Sequence, residues 1–226
     1  MKIRNIIFDW SGTLVDDLPA VWRATNEVFA KGGAKPLTLD EFRTEFQLPF
    51  HGFYQRFLPD VAMDQLEEWY HPSFRKYQDL VEGLPHALEF LRFCRDRHLK
   101  TFLLSTVSEE HYEKQAAKTG FGEYIGTPYL GVWDKRKKIH EILQENDLKP
   151  DETVFIGDME HDIETAKHGG IKSCGVLTGY NKMQQLKAAE PDVLVEHLGE
   201  LREMLQRDGL RLPRAGERQL SATPTQ

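Results

Sequence analysis

Two short motifs carry carboxylates at positions where they could act together in chemistry. The first spans residues 9–13 and reads DWSGT, and the second spans residues 157–162 and reads GDMEHD. Asp9 ends an apolar run and precedes a glycine turn, so it is a candidate nucleophile or metal ligand. Asp158 and Asp162 lie four residues apart at the entry to a helix, close enough to share one hard cation. Either motif alone is also typical of an ordinary strand end.

Two further segments supply hydroxyl groups and positive charge. Ser105 and Thr106 follow the apolar run at residues 101–104, where hydroxyls commonly cap the next helix. The run KRKK at residues 135–138 opens another helix, an unfavourable place for positive charge because of the helix dipole. A solvated run of charge and a functional lysine are both open interpretations of this segment.

The elements that must position these residues follow from hydrophobic patterning. Short, nearly continuous apolar runs predict buried strands at residues 3–8, 101–104, 153–156, 174–177 and, more weakly, 193–195. Helical spacing between them predicts helices that include residues 108–119, 135–145 and 162–168. This alternation predicts an α/β fold with a Rossmann-like, doubly wound parallel sheet. The motifs should then meet at the carboxyl edge of the sheet, where ligands bind in such folds.

One segment, residues 17–81, interrupts the alternation. It contains helical patterns at residues 20–31, 38–46 and 64–80, the second opened by a capping box of Thr38 and Glu41. Its many aromatic residues can build a small separate core. We therefore predict an inserted all-helical domain at 17–81, a core of residues 1–16 and 82–208, and a flexible tail at 209–226.

Composition excludes several classes of function. The chain has 226 residues, a formal net charge of −7 and two cysteines. The acidic balance gives no global attraction to nucleic acid or anionic membranes, and no segment approaches the ~18 apolar residues of a membrane span. The two cysteines cannot form a disulfide framework. These features predict a cytoplasmic protein with no nucleic-acid or membrane partner, and leave the oligomeric state open.

The four motifs, in this order, resemble those of the haloacid dehalogenase (HAD) superfamily over about residues 1–200. The helical segment after the first strand is similar to the cap of the phosphoglycolate phosphatase-like branch. The resemblance implies a Mg²⁺-dependent hydrolase of a small phosphorylated metabolite that works through an aspartyl-phosphate intermediate.

The resemblance also implies a role for each site residue. Asp9 would be the nucleophile, and Mg²⁺ would bind the Asp9 carboxylate, the Ser11 carbonyl, Asp158 and Asp162. Ser105 would donate to the phosphoryl oxygens and Lys135 would neutralise developing charge. Lys135 is preferred to Lys137 and Lys138 because the family lysine lies four residues before an apolar helix position such as Ile139. Substrate contacts are expected from residues Ser11, Gly12, Thr13, Thr106, His51 and Arg56.

Ser11 departs from the family pattern. The family has an aspartate two residues after the nucleophile, which protonates the leaving oxygen and then activates water, a contribution of ~10²–10⁴ in rate. A serine hydroxyl cannot do this, because it does not exchange its proton near neutral pH. A phosphatase could borrow an acid from the cap, for which His51 and Tyr54, expected in a loop after Pro49, are candidates.

Two other interpretations remain open, and a third is disfavoured. The DWSGT motif is similar to that of phosphonoacetaldehyde hydrolases, which cleave C–P bonds with a cap lysine; Lys31 or Lys35 would have to serve here. The chain could instead be a phosphate-binding or regulatory protein that has lost turnover. A true dehalogenase needs no Mg²⁺ and would leave the pair Asp158 and Asp162 unexplained.

Overall fold

A six-stranded parallel sheet forms the centre of the molecule, whose computed structural model describes residues 2–213. The strands are β1 (Asn5–Phe8), β2 (Val15–Asp16), β3 (Glu82–Gly83), β4 (Lys100–Leu104), β5 (Thr127–Tyr129), β6 (Thr153–Gly157), β7 (Lys172–Val176) and β8 (Val193–Val195). The sheet order is β5-β4-β1-β6-β7-β8, and β2 pairs separately with β3. The predicted α/β sheet is confirmed, although the short edge strand β5 was missed because Thr127–Tyr129 lacks an apolar run.

Ten α-helices accompany the strands within the described part of the chain. They are α1 (Leu18–Gly32), α2 (Leu39–Glu45), α3 (Phe50–Phe57), α4 (Met63–Arg75), α5 (Ala87–Asp96), α6 (Glu109–Thr119), α7 (Lys135–Glu145), α8 (Glu160–His168), α9 (Met183–Ala188) and α10 (Leu198–Arg207). Short 3₁₀ turns cover residues 78–80, 121–124 and 150–152. No helix within residues 2–213 is long and apolar enough to cross a lipid bilayer.

Both faces of the sheet are covered, which explains the continuous apolar character of its strands. Successive side chains of a strand point to opposite faces. Ile6 and Phe8 accordingly join one buried cluster, whereas Ile7 joins another with Ile139 and Ile142 of α7. The central strand β1 is hydrogen-bonded to β4 on one side and β6 on the other, in register along its whole length. Asp9, which follows β1, is therefore held at the middle of the sheet edge.

The helical insertion, residues 17–81, contains α1 to α4 and enters and leaves through the antiparallel pair β2–β3. Thr38 begins α2 with the predicted capping box, which is confirmed. An aromatic cluster centred on Phe53 packs inside the insertion, with the Phe29 ring stacked 5.7 Å away between centroids. The expected loop after Pro49 is wrong, because residues 50–57 form the amphipathic helix α3 with Phe53 and Tyr54 buried.

The start of the predicted tail is packed rather than free. The Ile3 N–H donates to the Leu210 carbonyl at 2.7 Å, and the side chains of Leu210 and Leu212 are buried. These contacts join residues 209–213 to the amino terminus of the core and correct the expectation of flexibility there. Residues 214–226 of that predicted tail lie outside the described part of the chain.

Candidate active site

The motifs of the sequence converge at the carboxyl edge of the parallel sheet. Asp9 follows β1, Ser105 follows β4, and Asp158 follows β6. Lys135 begins α7 six residues after the end of β5, so the missed edge strand is what brings this lysine to the same edge. The edge therefore collects carboxylates, a hydroxyl and an ammonium group from four separate strands.

Lys135 forms the centre of a buried ion-pair cluster. Its Nζ lies 2.8 Å from Asp9 Oδ2 and 2.7 Å from Asp162 Oδ1, and its side chain is fully buried. Burial lowers the pKa of Lys135, but the negative charges of Asp162 and Asp9 outweigh this effect and raise it overall. Lys135 is thus held charged. Lys137 is exposed, and Lys138 pairs with Glu141 on the surface of α7.

Asp158 is locked in place by the loops around it. Its Oδ1 accepts from Thr13 Oγ1 at 3.0 Å, and its Oδ2 accepts from the Tyr180 N–H at 2.7 Å. Gly12 has a φ of +71°, and a Cβ at this position would lie only 2.4 Å from Asp158 Oδ2. Glycine at position 12 therefore permits both the turn after Asp9 and the close approach of this carboxylate.

The carboxylates form a donor set suited to a hard divalent cation. Asp9, Asp158 and Asp162 each offer one oxygen within 4.8 Å of the others, and all three are buried. Burial and then the negative charge of Asp9 raise the pKa of Asp158, and burial also raises that of Asp162 despite Lys135. With all three carboxyls ionised, Lys135 leaves the cluster two negative charges in excess. This buried cluster can bind a metal, because a divalent cation would balance that charge.

The second motif contributes a buried hydroxyl and a residue of the cavity wall. Ser105 is 1% exposed, and its Oγ accepts from the Val107 N–H at 3.3 Å. Thr106 lines the cavity beside Asp9. Ser108 caps α6, as the sequence predicts, by accepting from the His111 N–H.

Ser11 contacts a buried carboxyl group that belongs to the start of the insertion. The Ser11 Oγ donates to Asp17 Oδ2 at 2.6 Å, and the Tyr180 hydroxyl donates to Asp17 Oδ1 at 2.9 Å. Asp17 is 3% exposed. Burial raises the pKa of Asp17 to about 7, although the hydrogen bonds from Ser11 and Tyr180 oppose the shift. A carboxyl group thus lies within hydrogen-bonding distance of the residue that replaces the family aspartate.

A cavity of about 180 Å³ lies between this edge and the helical insertion. Asp9, Ser11 and Asp17 line one side of it, and apolar side chains of the insertion line the other. Phe50 of α3 and Trp133 of the core approach across it with ring centroids 5.3 Å apart. The two parts of the chain together therefore enclose the space in front of Asp9.

Two residues expected from the sequence to contact substrate lie away from this cavity. His51 is exposed on α3, and Arg56 pairs with Glu45, its Nη1 lying 2.9 Å from Glu45 Oε2. The physical reason is the helix: on α3, Phe50 and Tyr54 point to the cavity, and neither His51 nor Arg56 is among its lining residues. Tyr54, the other acid candidate, does line it.

The sequence reasoning missed Asp17 and Tyr180. Asp17 directly precedes α1, where an acidic residue is usually a helix cap, yet its side chain makes no capping bond and turns to Ser11 instead. The sequence did contain a signal, because Asp17 lies six residues after Ser11, the serine that replaces the family aspartate. Tyr180 lies in a loop after β7 with no motif to mark it, and only the fold reveals its contact with Asp17.

A parallel sheet with a buried aspartate after its central strand β1 and a helical insertion at residues 17–81 is the arrangement that the motifs predict. The family model described as haloacid dehalogenase-like hydrolase matches residues 6–176, so the chain belongs to this family, and the resemblance drawn from its motifs is confirmed.

Curated relatives have similar lengths. The chain is 27% identical over 202 residues to a phosphoglycolate phosphatase from Synechococcus elongatus, covering 86% of this chain and 93% of that protein. It is 26% identical over 215 residues to the pyrophosphatase PpaX of Bacillus velezensis, covering 88% and 95%.

Solved structures share the fold. A protein from Clostridium acetobutylicum described as a predicted phosphatase superposes with a TM-score of 0.81 at 17% identity, over 91% of this chain and 99% of that one. A protein from Haemophilus somnus described as a predicted phosphoglycolate phosphatase gives 0.77 at 17% identity, with the same coverage. At these identities the likeness supports the fold alone.

Proposed function

We propose that the protein is a Mg²⁺-dependent phosphatase that hydrolyses a small phosphate monoester through an aspartyl-phosphate on Asp9. The observation that carries the proposal is the buried ion-pair cluster, in which Lys135 joins Asp9 to Asp162 next to an enclosed cavity. Phosphatase names among the curated relatives support the same reaction. We further propose that the helical insertion acts as a cap, and that the protein is cytoplasmic, which its two unpaired, buried cysteines support.

The proposed metal ligands are the carboxylates of Asp9, Asp158 and Asp162 with the Ser11 carbonyl. Bound Mg²⁺ would screen the repulsion between Asp9 and the phosphate anion. The Trp10 N–H donates to Asp9 Oδ1 at 2.6 Å and orients the nucleophile. Lys135 would offset the charge that develops on the transferring phosphoryl group, and Ser105 and Thr106 would hydrogen-bond its oxygens.

The proton missing at Ser11 would come from Asp17. In the first step, Asp9 attacks phosphorus and the bond to the leaving oxygen breaks. That oxygen takes the Ser11 hydroxyl proton while the protonated Asp17 carboxyl returns one to Ser11 Oγ. In the second step, water attacks the aspartyl-phosphate, and its proton passes through Ser11 back to the Asp17 carboxylate. The 2.6 Å Ser11–Asp17 contact supports this relay, since a protonated Asp17 would donate to Ser11 Oγ across the same distance, and both residues lie on the cavity wall.

Carbon–phosphorus cleavage is the weaker alternative. It requires a lysine in the cavity to form a Schiff base with the substrate carbonyl. Lys31 and Lys35, the candidates from the sequence, are both exposed, and neither is among the residues that line the cavity. The absence of acetaldehyde from incubations with phosphonoacetaldehyde would remove this alternative.

The proposed function is tested by phosphate release from a panel of alkyl, aryl, sugar and acyl phosphates. The panel is run with Mg²⁺ or with a chelator, on the wild type and on Asp9→Asn. We expect turnover that requires Mg²⁺ and is abolished by Asp9→Asn, with an unchanged far-UV circular dichroism spectrum. Full activity of Asp9→Asn would contradict the mechanism. Tight phosphate binding without turnover would instead favour a regulatory protein.

A further inference from the structure

The wall of the cavity that the helical insertion supplies is mainly apolar, with Thr25, Glu67 and His71 as polar members. It is lined there by Val21, Phe46, Leu48, Tyr54, Leu66 and Phe74. These side chains come from separate helices and loops of the insertion, so the apolar character belongs to the whole wall and not to one isolated side chain. In a phosphatase, this wall faces the leaving group of the substrate, since the phosphoryl group is held at the opposite, charged side.

Positive charge is missing from this wall. Across residues 2–213, neither an arginine nor a lysine lines the cavity, whereas Asp17 and Glu67 do. Arg43 of α2, which lies nearby, donates to the carbonyl oxygens of Tyr180 and Asn181 at 3.0 and 3.3 Å. Its guanidinium is thus already engaged by the loop that follows β7.

The two histidines of the wall cannot both carry a positive charge. His71 Nδ1 lies 3.1 Å from His111 Nε2, a distance at which one ring donates and the other must accept. At least one of them is therefore neutral. His111 is 4% exposed and packs its ring 4.5 Å from that of Phe74, an environment that disfavours charge.

We propose that the substrate is the phosphate monoester of a small, uncharged, apolar alcohol or phenol. This inference rests on the proposed phosphatase function and names its substrate class. A carboxylate or second phosphate on the leaving group would be buried beside Glu67 without a counter-ion, and such juxtaposition of like charges is strongly unfavourable. Binding of an apolar leaving group against the same wall is favourable, because its surface is removed from water.

The size of the cavity restricts the class further. An apolar cavity of about 150 Å³ accommodates benzene. At about 180 Å³, this cavity has room for one six-membered ring with a short linker, or a branched alkyl group of similar size. Phe50 and Trp133 narrow it, with ring centroids 5.3 Å apart, and a nucleotide leaving group exceeds a volume of this size.

The test compares benzyl phosphate, whose leaving group carries an uncharged ring, with phosphoglycolate, whose leaving group carries a carboxylate. We expect kcat/KM to be at least about 100-fold higher for benzyl phosphate, since an unpaired buried charge is penalised. Binding is measured separately by titration calorimetry on Asp9→Asn in Mg²⁺, using the non-hydrolysable benzylphosphonate and phosphonoacetate. Benzylphosphonate should bind at least about 10-fold more tightly.

A charge placed in the wall should reverse the preference. Met63 lines the cavity at the start of α4 and is half-buried, so a lysine there can extend its amine toward the space. Met63→Lys is expected to raise kcat/KM for phosphoglycolate at least about tenfold relative to the matched neutral variant Met63→Gln. Thermal unfolding of both variants controls for damage to the fold.

The outcomes separate this inference from the proposed function. Turnover of phosphoglycolate by the wild type at an efficiency equal to that of benzyl phosphate would overturn the substrate class and leave the phosphatase intact. If no ester is turned over, the proposed function fails, and the phosphonate titrations still decide the chemistry of the cavity. Equal or tighter binding of phosphonoacetate would overturn the inference in either case.

Discussion

The substitution Asp17→Asn keeps the shape of the Asp17 side chain and removes its ability to exchange a proton. The Asn carbonyl can still accept from Ser11 or Tyr180, both of which donate to Asp17 at 2.6 and 2.9 Å. The amide cannot release a proton at neutral pH, so the relay is cut. Because burial disfavours the Asp17 carboxylate, its loss should not weaken the fold, and the thermal midpoint should stay within a few degrees.

The expected loss is ~10²–10⁴ in rate, or about 3–5 kcal/mol of transition-state stabilisation. Two substrates show which of the two chemical steps, formation or hydrolysis of the aspartyl-phosphate, is slowed. 4-Nitrophenolate leaves without a proton, so Asp17→Asn should release one equivalent of it rapidly from 4-nitrophenyl phosphate and then slow at aspartyl-phosphate hydrolysis. Benzyl alcohol needs a proton to leave, so benzyl phosphate should give no burst. Stopped-flow absorbance measures the first step for 4-nitrophenyl phosphate, and chemical quench measures the first step for benzyl phosphate.

Two further variants complete the test of the relay. Tyr180→Phe removes the other hydrogen bond to Asp17 but keeps the Ser11 contact, and should cost no more than about tenfold. Exchanging the two side chains, Ser11→Asp with Asp17→Ser, should recover activity relative to Asp17→Asn. An equal loss in both first steps of Asp17→Asn, or an undiminished steady-state rate, would refute the relay.

Three other perturbations test the metal site and the insertion. Gly12→Ala places a Cβ against Asp158 and should weaken Mg²⁺ binding by about 10–100-fold in titration calorimetry. Lys135→Met leaves three buried carboxylates unpaired and should cost about 3–5 kcal/mol, part of which Mg²⁺ restores in thermal unfolding. Burial lowers the pKa of His111 to about 4, below its unfolded value, so the unfolded state gains its proton first and stability falls from about pH 6.5 to 4. His111→Gln should flatten that fall by about 1–2 kcal/mol in denaturant titrations; the charged or titratable neighbours that face it are His71, Arg75, Glu110 and Lys114.

The sequence predicted the central fold because its signals are local. Apolar runs mark strands that are buried on both faces, and the helix at Lys135–Glu145 was predicted with its observed bounds. The edge strand β5 lacks such a run, since the sheet needs only backbone pairing there. The loop predicted after Pro49 overlooks a local signal, because Phe50, Phe53, Tyr54 and Phe57 follow the i, i+3, i+4, i+7 spacing of the helix α3 that forms there.

The residues of the site also divide into those that local motifs predict and those that only the fold brings together. The carboxylates and Lys135 belong to spaced motifs, so their meeting follows once the parallel sheet is accepted. The contacts of Asp17 with Ser11 and Tyr180 join three loops and depend on where the chain enters the insertion. His51 and Arg56 failed as cavity residues because neither side chain lines the cavity, which helix periodicity gives to Phe50 and Tyr54 instead.

The paired strands β2 and β3 have a mechanical consequence. The chain passes between core and insertion only there, at Asp16 and Glu82, and Asp17 is the first residue beyond the crossing. A rotation of the insertion about this two-residue ladder would change the contact between Asp17 and Ser11, because Ser11 stays with the core. Opening the cavity to admit substrate would then also disconnect the proton donor, and closing would reconnect it. One hinge would then control both the closure of the cavity and acid catalysis. The Asp17 carboxyl group could transfer a proton only after bulk water has been excluded.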